Sequence, residues 1–245
     1  MAKMGKFERD FINATALLEK EELTNVDRIA LLAIYQTSYH DSGKIEGITS
    51  CDSSCHGCTF CAKMREAAKN DPSIICGLCY DAKQEEYRTN VLNRHSLNLR
   101  IMSSVLFEVE ELAILPTTVI TRINSSGDIE NVIHARNMIR FAKAHPYSKV
   151  TMWAKNYNAV KEAFDIEGKP ENMLYIASSY RIDKPIQLPK YADNTFTVYS
   201  NKEKVSEAIA NGSGECNGKK CRDCGYKCYL GGWNAGQDIA ELLRK

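Results

Sequence analysis

The chain has 245 residues, and its 32 basic and 31 acidic side chains leave a formal charge of +1. That balance argues against a nucleic-acid binder that works through a broadly basic face. No apolar run reaches the length of a membrane span, and charged residues at the start replace the apolar core that a signal peptide needs. We therefore expect a cytoplasmic protein.

The first half of the chain has mainly helical patterns. Apolar side chains with helical spacing predict helices at residues 7–23, Val26–Tyr39, Ala62–Lys69 and Tyr80–Leu112. Residues 44–50 are expected to form a short strand. These patterns divide this half into N-terminal helices over residues 1–43 and a cysteine-rich segment over residues 44–80.

The second half alternates strands with helices. The predicted strands are Thr117–Ile123, Lys149–Ala154, Met173–Ala177 and Phe196–Ser200. The predicted helices are Ile129–Ala144, Asn158–Phe164, Glu203–Ala210 and a terminal helix from about Asn234. A complete eight-fold barrel needs about 250 residues. Residues 81–211 are therefore expected to form a smaller α/β body, either a partial βα barrel or a small open parallel sheet, followed by a second cysteine-rich segment over residues 212–245.

The cysteines fall into two groups. Six of the ten lie between positions 51 and 79, four lie between 216 and 228, and residues 80–215 contain none. Cysteines that serve as small core residues would be spread through the body, and a cytoplasmic chain with this content is not a disulfide scaffold. The sequence therefore predicts two metal-binding segments. The candidate ligands are Cys51, Cys55, Cys58, Cys61, Cys76, Cys79, Cys216, Cys221, Cys224 and Cys228.

The first group contains two overlapping spacings that favour different metals. Cys51-x3-Cys55-x2-Cys58 offers three thiolates, which can hold a [4Fe-4S] cluster and leave one iron open. The run C-x2-C-x14-C-x2-C that starts at Cys58 is close to the spacing of a structural zinc site. A zinc ion needs only four ligands, and the surplus of cysteines favours iron and sulfur. Mixed ligand sets that include Cys76 and Cys79 stay open.

The second group, Cys216-x4-Cys221-x2-Cys224-x3-Cys228, provides four thiolates for a closed site. Such a site suits electron transfer or structure. A zinc knuckle is the alternative, and a single larger centre that joins both groups is also compatible with the sequence. Basic residues around this group can offset the charge of bound thiolates.

The spacing Cys51-x3-Cys55-x2-Cys58 resembles that of the radical S-adenosylmethionine (SAM) superfamily. This resemblance implies a [4Fe-4S] cluster that cleaves SAM reductively on a full or partial βα barrel, with a C-terminal auxiliary cluster. His56 departs from the pattern, because an aromatic residue usually follows the second cysteine. The chain over roughly residues 45–230 also resembles a group of phage and bacterial cysteine-rich proteins, which implies the host cytoplasm as its compartment. That likeness is carried by Ile75–Tyr80, Arg122–Asp128, Met152–Lys155 and the terminal cysteines.

Polar residues at the ends of predicted strands are candidates for cofactor binding, because such ends meet at one edge of a parallel sheet. The turn that ends at Asp128 resembles the Gly-Gly-Glu element that holds the SAM amino group, and Arg122 or Lys155 would bind the SAM carboxylate. The candidate cofactor-binding residues are Asn124, Ser126, Asp128, Arg122 and Lys155. As alternatives, Asp128 could cap the following helix and Arg122 could form a structural ion pair.

The favoured function is a radical SAM-like iron–sulfur enzyme that takes electrons from a donor and acts on a small-molecule or protein substrate. One alternative is a non-catalytic phage accessory or binding protein that zinc or closed clusters stabilise. A further alternative is an iron–sulfur protein on this fold that does not use SAM. No nucleophile elbow, phosphate loop or dinucleotide-binding glycine motif is present, which argues against ordinary hydrolases, kinases and dehydrogenases.

Overall fold

A central sheet organises the protein, whose computed structural model describes residues 5–216 and 218–243. The strands are β1 Ser38–Tyr39, β2 Thr49–Cys51, β3 Ile120–Ile123, β4 Lys149–Ala154, β5 Met173–Ser178, β6 Asn194–Tyr199, β7 Gly214–Cys216 and β8 Asp238–Leu242. Their order in the sheet is β1-β2-β3-β4-β5-β6-β8-β7. Within the described chain, β1 pairs antiparallel with β2 and the other neighbours pair in parallel. The expected α/β class with an open, mostly parallel sheet is confirmed.

The helices that form the main core lie on one face of this sheet. The helices are α1 Lys6–Leu18, α2 Asn25–Ile34, α3 Thr59–Ala68, α4 Tyr80–Tyr87, α5 Thr89–Ser104, α6 Val109–Leu112, α7 Val132–Ala144, α8 Tyr157–Glu167, α9 Lys202–Ala210 and α10 Lys227–Leu230. Right-handed crossovers between strands that are sequential neighbours place α7 and α8 on the same side. None of the described helices is long and apolar enough to cross a membrane.

The main core lies between that helical layer and the sheet. Side chains alternate between the faces of a strand, and every second residue of β3, β4 and β5 points toward the helices. The core contacts join Ile123, Met152 and Tyr175 of the strands to Met138, Phe141 and Phe164 of the helices. The residues between them, including Arg122 and Trp153, line a cavity on the opposite face.

The single long helix predicted over Tyr80–Leu112 is wrong, because the structure divides this stretch into α4, α5 and α6. Arg88 leaves the helical conformation at φ −121° and ψ 79°. After α5 the chain is extended, and the buried side chain of Asn137 satisfies its backbone by accepting from Phe107 N and donating to Val105 O. These hydrogen bonds replace those that a continuing helix would supply.

The predicted terminal helix from about Asn234 is also wrong, since β8 occupies Asp238–Leu242. This strand pairs with both β6 and β7, and its Ile239 and Ala240 are fully buried. Pairing on both sides outweighs the weak local helix preference of the segment. As a consequence, the second cysteine group lies within the sheet region instead of ahead of a separate helix.

Two loops at the carboxyl edge of the sheet pack directly on each other. The first loop follows β2 and carries Cys55 and Cys58. The second loop follows β3 and runs from Asn124 to Asp128. The amide of Ser53 donates to the carbonyl of Ser126 at 3.2 Å. Gly127 has φ +80°, and a Cβ at this position would lie 2.4 Å from the carbonyl oxygen of Ser53. The close approach of the two loops therefore requires glycine at this position.

We predict that Gly127→Ala lowers the free energy of unfolding by more than about 2 kcal/mol, because left-handed strain adds to overlap with a backbone atom. Urea unfolding measures the change. Gly231→Ala is the matched control, since Gly231 is left-handed at φ 71° and ψ 32° but a Cβ there meets nothing within 4 Å. The control should lose only about 1 kcal/mol. Equal losses in the two variants would contradict the proposed contact between the loops.

Candidate functional site

A cavity of about 240 Å³ lies on the face of the sheet opposite the helical layer. Seven of the ten cysteines line it, namely Cys55, Cys61, Cys76, Cys79, Cys216, Cys221 and Cys228. They come from both groups, although residues 80–215 separate the groups in sequence. All ten cysteines are free thiols. The structure therefore joins the two groups at one cavity, an arrangement that the sequence permitted but did not favour.

The thiols of the first group contact one another. The Sγ atoms of Cys55 and Cys79 are 3.9 Å apart. Hydrogen bonds with the thiols of Cys61 and Cys79 hold the pKa of Cys55 well below its ordinary value. The amide of Gly127 adds to this effect. The same hydrogen bonds raise the pKa of Cys61 and Cys79, so Cys55 is the thiol of this group that ionises most readily.

Lys155 lies beside these thiols. Its side chain lines the cavity at the end of β4. Burial alone would lower the pKa of Lys155, but the thiol of Cys76 and the carboxylate of Asp128 outweigh that effect and raise it. Cys79 and Cys61 act in the same direction. The first group thus has a cation next to it that can balance ionised thiols.

The other two cysteines of the first group do not line the cavity. Cys51 belongs to the main core, and burial raises its pKa to about 12, against the hydrogen bond with Tyr35. Cys58 is fully buried, and its Sγ caps α3 by accepting from the amide of Cys61 at 3.3 Å. Of the three thiols in the spacing Cys51-x3-Cys55-x2-Cys58, the one that lines the cavity is Cys55.

The four cysteines of the second group surround a small cavity of about 20 Å³. They are Cys216, Cys221, Cys224 and Cys228. The indole N–H of Trp233 donates to the Sγ of Cys228 at 3.2 Å. Burial raises the pKa of Cys228 to about 12 even with that donor present. N–H donors to sulfur are typical of thiolate sites whose ligands are metal-bound.

The donors of the two cysteine groups suit a soft metal. Across residues 5–216 and 218–243, no group of three or more histidine, cysteine, aspartate or glutamate side chains is arranged to hold one metal ion. Thiolates select iron–sulfur clusters, zinc and copper(I).

The structure gathers the predicted cofactor-binding residues around the same cavity. Arg122, Asn124, Asp128 and Lys155 line it. Ser126 is buried beside it, with its Oγ 3.9 Å from the Sγ of Cys55. This juxtaposition follows from the topology, because β3 and β4 are parallel neighbours and their carboxyl ends meet.

Asp128 has a structural role at this edge. Its buried carboxylate accepts from the amides of Ile129 at 2.8 Å and Lys155 at 3.0 Å, which connects the loop after β3 to the end of β4. The alternative that Asp128 caps the following helix is wrong. Asn131 caps α7 by accepting from the amide of His134 at 2.9 Å.

Arg122 forms no ion pair within the described chain, so the expected structural ion pair is not formed. Its guanidinium stacks over the ring of Trp153, with 4.8 Å between the guanidinium carbon and the ring centroid. Its Nη1 donates to the hydroxyl of Tyr229 at 3.3 Å. Arg122 therefore connects the sheet to the helix that carries Cys228.

Sequence reasoning missed a buried carboxylate that fixes the cysteine loop. The side chain of Glu85 accepts from the amides of Cys55 and His56, from the hydroxyl of Ser54 and from Nδ1 of His95. The ring of His56 packs against α4, with its Nε2 3.0 Å from the carbonyl oxygen of Ala82. Glu85 stands in a polar helical stretch that carries no motif, and only its burial reveals the role.

A second missed residue, Asp81, lines the cavity just after Cys79. Burial and the nearby thiol of Cys55 raise the pKa of Asp81 to about 7. The acid is therefore partly protonated near neutral pH, and no spacing in the sequence singles it out.

Fold and site together define an α/β protein in which two cysteine groups meet at a cavity on a parallel sheet. The gene product 88 family, a family of phage type, matches residues 12–228, and the chain belongs to it. This agrees with the resemblance to phage cysteine-rich proteins. No curated protein and no solved structure matches the chain.

We predict that Glu85→Gln lowers the free energy of unfolding by about 2–3 kcal/mol, because the amide leaves buried donors of the cysteine loop without acceptors. Glu130→Gln is the matched control. Glu130 also accepts an amide and a hydroxyl of this segment, both from Thr59, but at an exposed position. Its loss should stay below about 1 kcal/mol. Urea unfolding compares the two variants, and equal losses would show that Glu85 has no special role.

Proposed function

We propose that this protein binds an iron–sulfur cluster at each of its two cysteine groups and that both clusters face the shared cavity. The observation that carries the proposal is the convergence of seven thiols from two distant segments on one cavity. Such clusters supply electrons to a molecule held between them. The protein would therefore perform redox chemistry on a small molecule.

The accessibility of the thiols supports this proposal over core packing. Six of the ten cysteines are only partly buried, whereas cysteines with a packing role are among the most buried residues. Cys51 shows what such a packing cysteine looks like in this protein, since it is 2% exposed and belongs to the main core. The cysteines at the cavity differ from it in position and surroundings.

We assign the ligands by their position at the two cavities. The first cluster would use Cys61, Cys76 and Cys79, which leaves one iron open, and the second would use Cys216, Cys221, Cys224 and Cys228. The first set is one of the mixed sets that the sequence left open. Lys155 supports it, because a cation near thiolates lowers the cost of gathering their charge.

We expect the anaerobically purified protein to contain iron and acid-labile sulfide in equal amounts and to absorb broadly in the visible range. Cys76→Ala should lose about half of the iron, because one of two clusters is lost. Cys51→Ala is the matched control and should keep all of it, since Cys51 lies in the core. One tightly bound zinc without sulfide would overturn the proposal. Iron loss in Cys51→Ala would instead support the ligand set Cys51, Cys55 and Cys58 that the spacing predicts.

We propose in addition that the cavity binds SAM. Two features support this proposal: the cysteine loop directly follows β2, the first parallel strand, and four of the five candidate SAM residues line the same cavity. Lys155 lies next to the first group and would take the SAM carboxylate. SAM bound there would supply a 5′-deoxyadenosyl radical after reductive cleavage.

Reduced, iron-loaded protein should convert SAM to 5′-deoxyadenosine, which chromatography detects. Cys79→Ala should abolish the product, because the first cluster is lost. Lys143→Gln is the matched control, because Lys143 lies on α7 and pairs with Glu167 on the far side of the sheet. Absence of SAM binding in protein with full iron content would defeat the SAM proposal and leave the cluster proposal intact.

A further inference from the structure

We infer that the cavity takes a second, acidic ligand whose carboxylate or phosphate binds Arg122. The inference rests on the proposed function, since it names the class of substrate that the same cavity holds. It starts from Arg122, which lines the cavity and donates one side-chain hydrogen bond to the described residues.

Arg122 has five N–H donors, and the described residues accept from it once, through the hydroxyl of Tyr229. Its Nε is buried and has no hydrogen-bond partner in the described chain. The Nε donor, held away from water without an acceptor, is unfavourable in free energy, while the rest of the half-buried side chain lines the cavity. Most of the N–H donors of Arg122 therefore have no acceptor among the described residues.

The guanidinium is also held in a fixed plane. Trp153 lies under it at 4.8 Å, and Phe196 meets the Trp153 ring edge-on with 5.1 Å between centroids. Stacking of this kind orients the planar fork of arginine, which matches the oxygens of a carboxylate or a phosphate. A fixed guanidinium loses little conformational freedom when it binds such a group.

The two cations of the cavity differ in their surroundings. Lys155 lies next to the thiols of Cys76, Cys79 and Cys61, whose charge it can balance. Arg122 instead faces Tyr229 and the carboxylates of Asp52 and Asp81, neither of which is close enough for an ion pair. The oxyanion site is thus separate from the cation that serves the first cysteine group.

The position of Arg122 also places its ligand between the two proposed clusters. The cavity that Arg122 lines is also lined by Cys79 of the first group and by Cys221 of the second group. A small acid bound to Arg122 would therefore lie within reach of both.

Isothermal titration calorimetry of the anaerobically purified chain tests the inference with benzoate, inorganic phosphate and neutral benzamide. We expect benzoate or phosphate to bind saturably and benzamide not to bind, and the stronger of the two acids identifies the group. Arg122→Gln should weaken binding at least about tenfold, as for a lost charged hydrogen bond. Arg122→Lys keeps the charge but lacks the planar fork of arginine. Its affinity for the acids should lie between those of the unaltered chain and of Arg122→Gln.

Arg136→Gln is the control variant, because Arg136 on α7 pairs with Glu167 at the end of α8, away from the cavity. It should bind the acids as the unaltered chain does. Iron and sulfide measured in the same samples report on the clusters separately, and circular dichroism verifies folding. Equal binding of acid and amide, or binding that Arg122→Gln and Arg122→Lys leave unchanged, would overturn the inference.

Discussion

The arrangement of the site depends on one buried carboxylate, Asp52, at the end of β2. It is 5% exposed and accepts from the amides of Ser125 at 2.9 Å and Ser126 at 3.0 Å. Its own carbonyl accepts from the side chain of Asn98 on α5. A buried charge is tolerated only with such partners, so the loops after β2 and β3 cannot separate without a large cost. The cysteine loop is thereby fixed over the carboxyl edge of the sheet.

A second buried carboxylate holds the same loop from the other side. Glu85 binds the amides of Cys55 and His56, and Arg65 donates to the carbonyl of Cys55. Asp52 and Glu85 thus bracket the residue whose thiol contacts Cys79. Side chains of this kind restrict a loop that has few long apolar residues of its own. The thiols keep a fixed mutual position without a large local core.

The sequence predicted the features that depend on local patterns. Short, mainly apolar runs predicted the strands at Lys149–Ala154 and Met173–Ala177 almost to the residue, and both are inner strands paired on each side. The prediction failed for β8, because the conformation of that segment depends on pairing with β6 and β7. The cysteine spacing also could not distinguish the core residue Cys51 from the cavity-lining residue Cys55. They are four residues apart, but one side chain points into the core and the other lines the cavity.

The balance of charge in the cavity connects the fold to its chemistry. Thiolates gathered in a space that is partly shielded from water repel one another, and this repulsion must be offset nearby. Lys155 comes from the end of β4 and Arg122 from the middle of β3, so the sheet itself carries the positive charge to where the two cysteine groups converge. Lys155 lies beside the first group, while Arg122 stacks on Trp153 with donors unused. The two cations are therefore not equivalent: Lys155 lies beside the thiols of the first group, whereas Arg122 has N–H donors without an acceptor among the described residues.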